Sequence, residues 1–267
     1  MSLTLSSSSH GQAGNAPLAV ILASVAQVAA AAFPTLGIGT PVGQQSDMVQ
    51  TLITPAGWAF SIWGVLYLGS FVFAIYQALP AQRSNALLHE LRWPAAGAFL
   101  GNALWAAYVQ LSDLNAGSVV IIAFSLACIL VAFRRLADWR EHFAFAERWC
   151  AMLPLSALAA WLTAATIVNV AASLRYHGLE ATAAAAPIIS AGVVIGGGII
   201  AGLALVRSRG NPPFALVFLW ALAAIYAAGG QQAGQVGLAA IAATILTVGG
   251  LVVGLRRGGI DHWFARG

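Results

Sequence analysis

The stretch Thr54-Pro55-Ala56-Gly57-Trp58-Ala59-Phe60-Ser61-Ile62-Trp63-Gly64-Val65-Leu66-Tyr67, continuing to Gln77, decides how this chain reads. From Ala56 to Leu79 there are 24 residues and no charge. As a helix they cover roughly 36 Å, enough to cross a hydrocarbon core of about 30 Å with some tilt. Aromatic residues in membrane helices usually gather at the two interfaces. Here Phe60, Trp63 and Tyr67 recur at i, i+3 and i+7, which places them on one helix face. Such a face either packs on a neighbouring helix or forms the wall of a pocket for a flat, mostly apolar ligand. In either case the indole N–H and phenol O–H need partners.

Composition sets the class. Of 267 residues, 60% are hydrophobic and 7% charged, with a mean hydropathy of +0.84. A soluble domain carries about 25% charged residues, so the fold class is an all-α integral membrane protein. All twelve basic residues are Arg. The absence of Lys excludes Schiff-base chemistry such as retinal binding. With the Ala and Gly content, it suggests a GC-rich bacterial genome. Cys128 and Cys150 lie in apolar runs and read as small buried hydrophobes rather than as a disulfide or metal framework.

About eight transmembrane helices follow from the apolar runs. Residues 1–15 read as a disordered tail and 16–33 as a retained first helix. A Gly/Pro-rich loop covers 35–54, and further spans are expected near 56–79, 93–111, 116–133, 149–174, 186–206, 214–229 and 236–255. The segment 134–148 reads as a helix extension at headgroup level. Trp93, Trp139, Trp149 and Trp263 are expected as interfacial belt residues, and Trp220 as facing lipid or another helix. Gly192 and Gly196, followed by Gly197 and Gly198, allow close helix contact. With eight spans, eleven Arg fall on the side of the two termini and only Arg175 on the other. By the positive-inside rule both termini are cytoplasmic, in an inner membrane if the source is bacterial.

No acidic residue, Arg or His falls centrally in an expected span, which weakens an ion-coupled carrier or pump. The five His read as solvated loop residues, so haem held between helices by His is not expected. There is no acidic metal motif and no Ser/His/Asp constellation. The spans offer aromatics, amides and hydroxyls, which bind but are poorly equipped for acid–base chemistry.

Three sets of residues carry a family resemblance. Pro55, Trp58, Phe60, Trp63, Leu66 and Tyr67 in the second helix come first. Asn102-Ala103-Leu104-Trp105 follows in the third, and Leu153-Pro154, Trp161 and Asn169 in the fifth. Together they resemble the TspO/translocator protein family, the tryptophan-rich sensory proteins, over about residues 16–178. The Phe60-to-Trp63 spacing is one residue shorter than the usual form, Ser156 stands near the family's Tyr, and Val168 replaces the Leu before Asn169. The resemblance implies a longer, divergent member: a five-helix bundle over 16–178 and a three-helix C-terminal extension over 179–267. It implies ligand binding at Trp58, Phe60, Trp63, Tyr67, Asn102, Trp105, Trp161 and Asn169, with a tetrapyrrole (porphyrin, haem-like) or sterol-like molecule as ligand. No obligatory cofactor, catalytic residue or metal site is expected. Family members are associated with light-dependent breakdown of bound porphyrin, but nothing in this chain independently calls for an enzyme.

The alternatives are a transporter of a small uncharged metabolite and a structural or assembly subunit of a larger membrane complex. The expected partners are the lipid bilayer and the small molecule, with a homodimer compatible and no nucleic acid. An inverted repeat would favour transport, but the 54–67 signature has no echo in the second half. For Asn102 and Asn169, hydrogen bonding between helices is the competing role.

Overall fold

A computed structural model describes residues 9–264. Eight long helices dominate them. These are α1 (Ser9–Ala31), α2 (Ile62–Ala78), α3 (Ala86–Ser112), α4 (Ala116–Asp138), α5 (Leu153–Tyr176), α6 (Ala186–Arg207), α7 (Pro212–Ala227) and α8 (Gly234–Gly254). Residues 1–8 of the expected tail lie outside the described residues, and α1 begins seven residues before the expected 16.

Among the described residues, seven stretches are long and apolar enough to cross a membrane. The eighth helix, α3, is not among them, although its 27 residues would extend about 40 Å. It is the hub of the first five helices and packs between α1 and α4. Because it presents little surface to lipid, it can carry Asn102, Gln110 and the close-packing Gly101 at buried positions.

The packing order explains the architecture. α1, α3, α4, α5 and α2 contact one another in a closed ring. α7 then packs on α5, α8 on α7, and α6 almost entirely on α8. The start of α7 is specified locally: Asn211 caps it by accepting from the Phe214 N–H at 3.0 Å, and Pro212 occupies the first turn. The Asn211 amide also donates to Ser156 Oγ at 2.9 Å, so the small residue at 156 makes room for α7 against α5.

Five expectations need correction. Gly192 and Gly196 face open space, and it is Gly198 and Gly202 that meet α8. A Cβ at Gly198 would sit 2.6 Å from Ala243, and one at Gly250 would sit 2.4 Å from the Gly202 carbonyl. The span expected from Ala56 is present over Gly57–Ala78, but it opens as a 3-10 turn over Gly57–Ser61 before α2 proper, and the Ala56 N–H ahead of it donates across the bundle to the Ala224 carbonyl at 3.1 Å. Arg92, placed in a charged turn by its neighbours, lies within α3 and is buried. Its guanidinium donates to Gln77 Oε1 and to the carbonyls of Gln77 and Gln82, each at 3.0 Å, where the end of α2 leaves acceptors unpaired.

The fourth correction concerns Trp263. Trp93 and Trp149 are exposed and Trp139 half-buried, but Trp263 is 0% exposed. After α8 the chain turns at Gly258 (φ 91°) into the short helix Ile260–Phe264. Trp263 stacks on Phe143 and donates its Nε1–H to the Arg209 carbonyl at 3.0 Å. His262, expected in solvent, is buried too. Arg209 can only donate, so His262 Nδ1 accepts from it at 3.1 Å and Nε2–H donates to the Leu136 carbonyl at 3.1 Å. Arg148 donates to the Phe264 carbonyl at 3.2 Å. This C-terminal clasp joins the five-helix ring to the α6–α7 turn.

Candidate functional site

The aromatic and amide residues singled out in α2, α3 and α5 converge beneath the loop between α1 and α2. Trp63 lies at the centre of the cluster. Its ring centroid is 5.5 Å from Tyr67 (stacked), 5.7 Å from Trp105 and 5.8 Å from Trp161 (edge-on). These separations are in the range where offset and edge-to-face pairs are favourable.

Asn169 fixes the cluster's polar side. Its Oδ1 accepts from Trp105 Nε1 at 2.7 Å, and its Nδ2 donates to Ser118 Oγ at 2.7 Å, linking α5 to α3 and α4. Ser118 in turn donates to the Asn115 carbonyl at 2.7 Å, at the capped start of α4. Asn102 is turned to the other side. It donates to Gln27 Oε1 on α1 at 3.2 Å, and the Tyr67 hydroxyl lies beside it.

A cavity of about 50 Å³ sits against this cluster. Of the expected site residues, Phe60, Trp105, Trp161 and Asn169 line it. Trp63 stands behind Trp105 and Trp161, and Tyr67 and Asn102 lie deeper toward α1. Trp58 is elsewhere: it is exposed and packs edge-on against Trp220 with centroids 4.7 Å apart.

Among the described residues, no charged side chain lines the cavity. The Trp161 Nε1 is buried without a hydrogen-bond partner among the described residues. An unpaired buried donor costs about 1–3 kcal/mol, so this N–H is the polar group that an incoming acceptor would satisfy. The side-chain amide in the wall, Asn169, is already engaged on both atoms.

Two further parts of the wall carry no aromatic or amide signature in the sequence. Val42 and Ser46 of the short helix Val42–Met48 form a lid, and Ala221 and Ile225 of α7 close the side. The lid is anchored where the Thr40 N–H donates to the Gln110 carbonyl at 2.9 Å. α7 also holds the end of the loop. Trp220 Nε1 donates to the Ala59 carbonyl at 3.3 Å, and Gly229 packs so tightly on Leu52 that no side chain would fit there. Ala221 and Ile225 share one face of α7 at i, i+4, but every face of that helix is apolar, so nothing in the sequence marks them.

Arg175, Glu180 and Asp113 stand at a wider opening of about 380 Å³ on the same end, which shares Leu114 with the cavity. Arg175 and Glu180 are paired at 3.4 Å. The arrangement can hold an apolar ring and hydrogen-bond it.

No curated protein and no solved structure matches the chain. A family model described as TSPO-like protein matches residues 16–253. That match runs through α7 and almost to the end of α8, so it takes in both the aromatic cluster and the helix that closes its cavity. The chain is an integral membrane protein of the TspO type and belongs to the TSPO-like protein family.

Proposed function

We propose that this protein is a membrane-embedded binding or sensory protein for a tetrapyrrole or similar apolar cyclic ligand, seated beneath the loop between α1 and α2. One observation carries the reading. Two indoles, Phe60 and Asn169 surround an uncharged cavity whose wall includes an unpaired Trp161 N–H. Indole faces suit a flat macrocycle, and the free N–H suits a carbonyl, carboxylate or ring-nitrogen acceptor.

A cavity of about 50 Å³ holds no more than a few waters, whereas drug-sized ligands occupy about 300–1,000 Å³. Binding therefore requires the lid Val42–Met48 to lift or α7 to move outward. Both termini are assigned to the cytoplasm by the Arg distribution, which puts the lid on the opposite face. Fusion of a reporter to the C-terminus checks that orientation.

The test is titration of purified protein with protoporphyrin IX, followed by tryptophan quenching. Saturable micromolar binding is expected. Trp161→Phe keeps a ring but removes the N–H, and should weaken binding about 2- to 12-fold. Trp58→Phe, outside the cavity, should bind as the unmodified protein does. The absence of saturable binding, or equal weakening by both substitutions, rejects the site.

A further inference from the structure

We propose that the crevice between α5 and α6, at the end of the bundle that carries the lid, is a binding site for one membrane lipid with a zwitterionic, phosphoethanolamine-type headgroup. It is separate from the aromatic cavity and does not depend on what that cavity binds.

The crevice exists because α6 packs on α8 and barely touches α5. A space of about 560 Å³ remains, within the range of sites that hold a specific small molecule. Its lining is graded by height. Leu174 on α5 and Ile189 and Val193 on α6 form an apolar wall. Above them Gln50, Arg175, Glu180 and Gln232 form a polar rim. Ala186 to Val193 rises about 10 Å along the helix, somewhat more than the roughly 5–8 Å of headgroup region on each side of the hydrocarbon core, so Val193 stands at acyl-chain depth.

The rim charges point to the headgroup class. Arg175 Nη1 and Glu180 Oε2 are 3.4 Å apart, and their side chains are 43% and 51% exposed. That single long contact leaves the other guanidinium N–H groups and Glu180 Oε1 available to a ligand. The pair has no surplus charge. A lipid phosphate finds the guanidinium and a lipid ammonium finds the carboxylate, so each half of a zwitterion has a counterpart. A purely anionic head would meet Arg175 but be repelled by Glu180, and by Asp113 at the adjoining opening.

The inner end of the crevice is stopped. Ile53 and Val193 also line a void of only about 20 Å³, which borders the aromatic cavity through Val168 and Ala221. An acyl chain thus reaches the outer wall of the cavity without entering it.

The experiment reconstitutes the full chain in nanodiscs of equal phosphatidylethanolamine and phosphatidylglycerol, then identifies retained lipid by native mass spectrometry. One phosphatidylethanolamine per chain, retained in preference, is expected. Val193→Trp, which fills the crevice, should reduce that retention at least 5-fold. Arg175→Gln with Glu180→Gln, both at the exposed rim, should abolish the preference without disturbing the fold. Equal or greater retention of phosphatidylglycerol overturns the proposal, as does unchanged retention in the rim variant. Trp161→Phe should leave lipid retention untouched, so failure here and failure of the tetrapyrrole reading are distinguishable.

Discussion

Two helix pairs make the most extensive contacts in this molecule, and they are held in different ways. Between α1 and α3 the contact is laced with amides. Gln110 donates to the Ala30 carbonyl at 2.9 Å and to the Ala106 carbonyl at 2.6 Å, and Asn102 donates to Gln27. Between α6 and α8 backbone meets backbone, with Gly198 and Gly202 against Ala243, Leu246 and Gly250. Lipid provides no hydrophobic drive for helix association, so either interhelical hydrogen bonds or close small-residue packing must supply it. Hydrogen-bonded helices tolerate some slack, and the α1–α3 region also bears part of the candidate site. The glycine-packed pair has no slack, and it stands apart from the cavity.

The largest effect is expected for Gly250→Leu. A side chain there strikes the Gly202 carbonyl, so α6 and α8 must separate, and a loss of about 3 kcal/mol or more is expected. Thermal unfolding in detergent, read by circular dichroism, measures it. On the amide side, Gln110→Leu removes two hydrogen bonds and frees the Ala30 carbonyl at the end of α1. The expected cost is about 1–2 kcal/mol in the same assay.

Ser24→Ala should have the opposite sign. The Ser24 hydroxyl is buried without a partner among the described residues, so its removal should stabilise by up to about 1 kcal/mol. A loss instead would show that a water satisfies the Ser24 hydroxyl. The smallest effect is expected for Gly192→Ala, which adds a methyl group to open space, changing stability by less than about 1 kcal/mol and favourably. A loss as large as that of Gly250→Leu would return the helix contact to the Gly192 and Gly196 face.

Much of this was legible in the residues. The uncharged apolar runs required helices across a membrane, and the three signatures in α2, α3 and α5 named the family. They also picked out Phe60, Trp105, Trp161 and Asn169, which do share one cavity. Trp58 belongs to the same signature but pairs with Trp220, because a 3-10 turn precedes α2 and sets its direction. The exact partners of Asn102 and Asn169 were not readable, since an amide at a helix face can bond any neighbour within reach.

Sequence alone determined that this chain spans a membrane as a helical protein of one family, because hydropathy and motif spacing are local properties. Only the tertiary structure decided the role of the last three helices. α7 presents Ala221 and Ile225 to the cavity and anchors the loop through Ala224, while Trp263 folds back onto Phe143. Those residues look like any others in apolar or terminal segments. What they contact depends on which helices meet, and that is settled by packing over the whole bundle rather than by any one stretch.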